Sequence, residues 1–265
     1  MKTKKGVNMK MLITVLASFA LLVGCGQSQE PASEMPAAPA EASAPANDVI
    51  VDYVWNTAAA DMTDEQLADI VTRWNARIDA GGYDMMGANV LKPQFETDDY
   101  DFIWVLMWPS AEAREAGWAD WNTNQIEGWA AELDGALSYQ PENVYSFKPA
   151  AGRDSDVSNT PEGGTFIPSF DFCNFNEGHD QASLDAFRAD YDAWLDESAS
   201  SDYGYWIMEP QFELADADVV WLDLFTGEAA AQSGSESWNG STLQAAWNAM
   251  LNCQNYTFAA TAIRR

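Results

Sequence analysis

One stretch of this chain is written twice. Pro93-Gln94-Phe95-Glu96 returns as Pro210-Gln211-Phe212-Glu213, and at the same offset of 117, without a gap, Asp101, Trp104, Gly117 and Trp121 meet Asp218, Trp221, Gly234 and Trp238. Residues 93–122 and 210–239 share 11 identities in 30 positions. The face of an upstream helix follows the same offset, with Leu67, Ile70, Trp74 and Ile78 against Leu184, Phe187, Tyr191 and Leu195. A duplication of this length makes the chain one supersecondary unit built twice. It constrains architecture far more than chemistry.

The order of elements in the unit follows from periodicity. Leu67, Ile70, Val71, Trp74 and Ile78 recur at helical spacing behind a Thr63-Asp64-Glu65-Gln66 capping box and stop at Gly81-Gly82. Strands are expected at 49–56, 86–96, 102–108 and 143–148, with a second helical region from Ser110 that breaks near Gly117 or Asn122. Every residue of 102–108 is apolar, which requires burial on both faces of that strand. The second copy repeats the order with strands at 166–176, 203–213, 219–225 and 255–259. Strand, helix, strand, strand, helix, strand is the ferredoxin-like βαββαβ pattern. The expected fold class is α+β, with two tandem ferredoxin-like repeats, 48–150 and 165–265, joined by a linker at 151–164 that carries Gly152, Pro161 and Gly163-Gly164.

The N-terminus is of another kind. Met1-Lys2-Thr3-Lys4-Lys5 precedes an apolar run over 11–23, too short for a bilayer span of about 20 residues, and residues 1–24 read as a secretory signal peptide. Leu22-Val23-Gly24-Cys25 resembles the lipobox of bacterial lipoproteins. That resemblance implies lipidation of Cys25 as the membrane anchor and, with Gly26 next, sorting to the outer membrane, facing the periplasm or the cell surface. An ordinary cleaved signal with an incidental cysteine is the alternative. Residues 25–47, rich in Pro, Ala, Ser and Glu, read as a disordered tether. Removal of the four leader lysines takes the formal charge from −28 to −32. So acidic a surface repels nucleic acid, which is not an expected partner.

An exported compartment permits disulfides. In a ferredoxin-like sheet the first and last strands are antiparallel neighbours, and Cys173 and Cys253 fall at the end of one and the start of the other. A disulfide between them closes a loop of 80 residues, worth up to about 4 kcal/mol in the chain-entropy model. With one histidine in the chain, two cysteines make a poor zinc set.

Two such units in tandem with doubly buried central strands resemble the dimeric α+β barrel superfamily, which includes antibiotic-biosynthesis-type monooxygenases, stress-responsive barrel proteins and chlorite-dismutase-like haem proteins. The resemblance implies a barrel of two four-stranded sheets with helices outside, a small apolar ligand or cofactor between sheet and helices, and here a monomer with an internal pseudo-dimer. Haem-binding members carry a histidine on a helix, whereas His179 falls in a loop, and no cofactor is expected.

Candidate site residues come from the repeats and from their differences. Gln94 and Glu96 share one face of a strand and Phe95 the other; Gln211, Glu213 and Phe212 repeat this. The two amide–carboxylate pairs are candidate ligand-binding residues facing a central cavity, with support of the strand end and turn as the alternative. Asp223 stands where the first copy has Leu106. A carboxylate on a buried strand is costly unless paired or protonated, so Asp223 is a candidate catalytic acid or base unless the strand's face is open there. His179, the one imidazole, is its candidate catalytic partner, against a solvated helix-start role. Asn56 and Asn174 at the ends of the first strands, and Trp104 and Trp221 among the core-periodic tryptophans, are candidate cavity residues, with turn formation and barrel filling as alternatives. The acidic turns at 98–101 and 216–218 lack a full calcium-loop spacing, and no metal is expected.

The first functional expectation is an envelope lipoprotein whose barrel binds a small apolar or aromatic molecule. The second is a cofactor-independent monooxygenase- or isomerase-like barrel enzyme. The third is a protein–protein interaction or assembly lipoprotein with no small ligand.

Overall fold

A computed structural model describes residues 48–198 and 200–265. The expected signal peptide, the Cys25 anchor and the tether lie outside the described residues.

The first strand, β1 (Ile50–Ala58), has two buried faces, Val51 and Tyr53 on one and Ile50, Asp52 and Val54 on the other. Such a strand needs a layer over each side. Helix α1 (Asp64–Gly81) covers one. Its capping box is made, with the Gln66 N–H donating to Thr63 Oγ1 at 3.2 Å and the Thr63 N–H to Gln66 Oε1 at 2.7 Å, and Leu67, Ile70, Trp74 and Ile78 are its buried face. Strands β2 (Gly87–Pro93) and β3 (Phe102–Trp108) follow, then α2 (Ala111–Asp120), a π-helical turn at Trp121–Gln125, and α3 (Ile126–Leu133). The helix therefore runs unbroken through Gly117, where a Cβ would lie 2.5 Å from the Trp108 ring. A short β4 (Leu137–Ser138) pairs with the end of β1, and β5 (Val144–Arg153) completes the unit. The second unit comprises β6 (Thr165–Phe175), α4 (Gln181–Ser198), β7 (Tyr203–Pro210), β8 (Val219–Phe225), α5 (Glu228–Trp238), α6 (Thr242–Met250) and β9 (Leu251–Arg264).

Both units have the strand order fourth, first, third, second, as β5-β1-β3-β2 and β9-β6-β8-β7, and every pairing is antiparallel. Their registers coincide at the offset of the repeat. Asp52 faces Leu106 as Ser169 faces Asp223, and Val54 faces Trp104 as Asp171 faces Trp221. The units join edge to edge, β2 to β9 and β5 to β7, so eight strands close into one barrel with pseudo-twofold symmetry and no free edge. This is the expected pseudo-dimeric α+β barrel. It has a barrel core around Tyr53, Val105, Phe170 and Leu222 and a separate sheet–helix core in each unit.

Strands β5 and β9 run past the expected 143–148 and 255–259, because each is paired on both sides, once within its unit and once across the seam. Ala151-Gly152, read as linker, is therefore strand. A Cβ on Gly152 would lie 2.1 Å from the Tyr205 carbonyl oxygen, so the glycine answers a close backbone approach. Cys173 and Cys253 are directly paired on β6 and β9 and form the expected disulfide, with Cα atoms 4.0 Å apart.

The duplicated residues have structural work. Pro93 and Pro210 end β2 and β7, and the next amides extend the seams, Gln94 N–H to Thr257 O at 3.0 Å and Gln211 N–H to Ser146 O at 2.8 Å. The Asp101 carboxylate accepts from the Ala58 N–H at 2.7 Å, and Asp218 from its counterpart Phe175 N–H at 3.0 Å.

Candidate functional site

The two sheet–helix layers are filled differently. In the first unit the space between sheet and helices has shrunk to about 60 Å³, closed by Trp74, Trp104, Trp118, Trp121 and Trp129. In the second it is a cavity of about 790 Å³ between β6, β8, β9 and the helices α4, α5 and α6. The offset of 117 names the cause. Trp118 becomes Ser235, Arg114 becomes Ala231, Trp108 becomes Phe225 and Asp52 becomes Ser169, and all four replacements line the cavity.

In the first unit these larger residues form one network. Asp52 is fully buried and accepts from Arg114 Nε at 2.7 Å, Trp118 Nε1 at 2.7 Å, Trp108 Nε1 at 3.0 Å and Ser146 Oγ at 2.5 Å. Donors from β3, α2 and β5 thus converge on β1 and hold the helix down. Buried charge is tolerated when it is paired and its lone pairs are used.

In the second unit the carboxylate has crossed to the facing strand. Asp223, on β8, accepts from Tyr203 OH at 2.6 Å and Trp221 Nε1 at 2.8 Å, both on Oδ1; Oδ2 receives no hydrogen bond among the described residues. Tyr191 OH donates in turn to Tyr203 OH at 2.8 Å, giving a chain Tyr191–Tyr203–Asp223 along the cavity wall. The first-unit counterpart of Trp221, Trp104, has Leu106 beside it instead of a carboxylate, and its buried indole N–H is unpaired among the described residues.

No basic residue lines this cavity among the described residues, whereas Asp171, Glu197, Asp202 and Asp223 do. Burial pushes the Asp223 carboxyl up to about 7; the neighbouring charge of Asp171 adds to this, while the donors Tyr203 and Trp221 oppose it. Asp171 is also raised by burial, against the hydrogen bond from Asn255 Nδ2 at 2.8 Å. Burial and the charge of Asp223 hold the Tyr203 phenol well above its ordinary value. Asp223 is therefore the wall group able to take up or release a proton near neutrality, with Tyr203 remaining a hydrogen-bond donor.

Asp223 and Trp221 stand together at the cavity wall, and Trp104 lies in the filled counterpart. The histidine and the two amide–carboxylate pairs lie elsewhere. His179 is exposed in the turn after β6, beyond Phe175, while Asp223 faces Ser169; six residues of strand, about 20 Å, intervene. It cannot partner Asp223. Gln94, Glu96, Gln211 and Glu213 are exposed and face away from the interior, because the barrel core takes the apolar side of each strand end, Phe95 and Phe212. Those rings help to line a second cavity, of about 780 Å³, at one mouth of the barrel. Asn56 and Asn174 differ by one in strand parity and so part company. Asn56 is buried on the helix side and bonds Val54 O at 2.8 Å, whereas Asn174 is exposed at the barrel mouth and bonds Asp216 O at 3.0 Å. Among the described residues no acidic, histidine and cysteine cluster can hold a metal.

Sequence reasoning missed Asp171, Tyr191 and Tyr203. Asp171 carried the signal that revealed Asp223, since its counterpart is the core residue Val54. The phenols carried none, because they reach Asp223 from other elements.

Haem, the cofactor the resemblance brings with it, does not fit this donor set. Among the described residues the cavity lining offers iron no histidine, cysteine or methionine, its phenols Tyr191 and Tyr203 are held in the hydrogen-bonded chain to Asp223, and no basic side chain is there to meet a propionate.

No family model and no curated protein matches the sequence. Among solved structures, a chlorite dismutase variant from Candidatus Nitrospira defluvii superposes with a TM-score of 0.50 at 8% identity, covering 82% of this chain and 92% of that one. A provisionally assigned monooxygenase from Fusobacterium nucleatum gives 0.50 at 6% identity, over 83% and 94%. An anthrone oxidase-like protein gives 0.48 at 14% identity, over 81% and 90%. The two likenesses at 0.50 show the fold alone, an α+β barrel, and here a single chain supplies both of its ferredoxin-like units.

Proposed function

We propose that this protein is an envelope lipoprotein that binds a small apolar or aromatic molecule in the cavity of its second unit. The observation that carries the reading is the asymmetry between copies: about 790 Å³ of aromatic-walled space where the other copy retains about 60 Å³. A scaffold that fills one layer with tryptophans can fill both, so the open one has a use. N-Phenyl-1-naphthylamine, a neutral dye that brightens in apolar surroundings, tests it. Ser235→Trp, which restores the first copy's residue, is expected to weaken dye binding by about tenfold, equivalent to about 1.4 kcal/mol of lost contact. Unchanged binding there, with loss in Phe95→Ala, would move the ligand to the barrel mouth.

The lipid anchor is supported by the lipobox-like ending at Cys25 and the tether-like composition after it. Cys25→Ser is expected to shift the protein from the membrane fraction to the soluble fraction and to abolish labelling by a fatty-acid analogue. A membrane fraction unchanged by that substitution would count against the anchor.

A second reading is favoured by the hydrogen-bonded chain Tyr191–Tyr203–Asp223, which ends on a carboxyl near 7. Here the barrel is a cofactor-independent monooxygenase- or isomerase-like enzyme, with Asp223 taking a proton from the ligand and Tyr203 steadying the charge. This rests on the site and not on likeness of fold.

A further inference from the structure

The two copies treat a carboxylate of the sheet–helix layer in opposite ways. Asp52 is neutralised from within, by Arg114 on the helix that packs over it. Asp223 occupies the same layer on the facing strand, opposite Ser169, the counterpart of Asp52. Cross-strand partners lie about 5 Å apart, so the two carboxylates address nearly the same space above the sheet. The counterpart of Arg114 is Ala231, which lines the cavity and brings no charge.

We propose that the cavity takes a ligand in which an ammonium or other organic cation is joined to an apolar or aromatic body, the cation standing over Asp223 where the first copy places a guanidinium. The proposal rests on the reading of this cavity as a small-molecule site and names the class of molecule. Three features agree with it. Asp171 stands beside Asp223, Glu197 and Asp202 sit at exposed positions of the lining, and no described basic group competes for them. Tyr191, Trp194, Trp221, Trp238 and Trp247 surround the space, and aromatic faces attract organic cations as well as apolar groups. Oδ2 of Asp223 accepts no hydrogen bond among the described residues, and a protonated amine is a charge-assisted donor for it. The same lining repels a carboxylate or phosphate.

Calorimetric titration of the protein at pH 8 with 2-phenylethylamine, 2-phenylethanol and phenylacetate separates the possibilities. The amine is expected to bind about tenfold tighter than the alcohol, and the carboxylate not measurably. Asp223→Asn should remove the preference for amine and leave alcohol binding in place. Ala231→Arg, which supplies the first copy's internal cation, should abolish amine binding while the protein stays folded. Alcohol binding equal to or tighter than amine binding overturns the cation inference and leaves the aromatic cavity standing. Absence of heat from all three compounds overturns both.

Discussion

Arg114→Ala is expected to destabilise the protein by about 3–5 kcal/mol, read from chemical denaturation at neutral pH. The carboxylate of Asp52 is fully buried, and Arg114 is the cation that meets it. Without the guanidinium, Ser146, Trp108 and Trp118 still donate, but a charge remains in a layer with no counter-charge. The double variant Asp52→Ser with Arg114→Ala writes the second copy's residues into the first. It should recover part of the loss, because no unpaired charge is left. If the single substitution costs under about 1 kcal/mol, the network does not anchor α2 as described.

Asp223→Asn is expected to do the reverse and stabilise the protein at alkaline pH. The folded carboxyl titrates near 7, against an ordinary value of 3.8. A raised folded value means that the native state holds its proton more firmly than the unfolded chain does. The associated stability is present in full below about pH 4 and lost as pH rises through about 7. A shift of about three units corresponds to up to about 4 kcal/mol, less where cavity water screens the charge. Asp223 has Ser169 and Tyr205 as its cross-strand neighbours, accepts from Tyr203 and Trp221, and interacts through charge with Asp171 and Tyr191. Asparagine keeps the acceptor for Tyr203 and carries no charge at any pH. The variant's advantage should therefore grow from pH 4 to pH 8 and level off above it. A constant difference across that range would show that Asp223 is ionised throughout. On the acid–base reading, the same substitution stops exchange of an acidic ligand hydrogen with deuterated solvent. Greater stability with weaker function is what a site residue produces.

Several of these features were legible in the residues and several were not. Asp223 was found because the offset set it against Leu106, and Asp171 against Val54 was open to the same test. The duplication of Pro-Gln-Phe-Glu is plain in the residues, but alternation along a strand separates two faces without saying which is inside. The barrel core settled that in favour of Phe95 and Phe212, since burying Gln94 and Glu96 there would leave polar groups without partners. His179 was matched to Asp223 by chemistry alone, and six residues of β6 keep them apart. Gly152 read as a linker residue because a close approach to Tyr205 has no signature in composition.

By itself the sequence determined that one unit is built twice, that its central strands are buried on both faces, that Cys173 and Cys253 fall where they can pair, and that the second copy carries the odd carboxylate. Only the tertiary structure decided that the second layer is open and the first is closed. The reason is physical: whether space remains between a sheet and its helices depends on side chains from separate elements meeting at one point. Asp52, Trp108, Arg114 and Trp118 converge from β1, β3 and α2 to close the first layer. Ser169, Phe225, Ala231 and Ser235 fall short and leave Asp223 at the wall of a cavity.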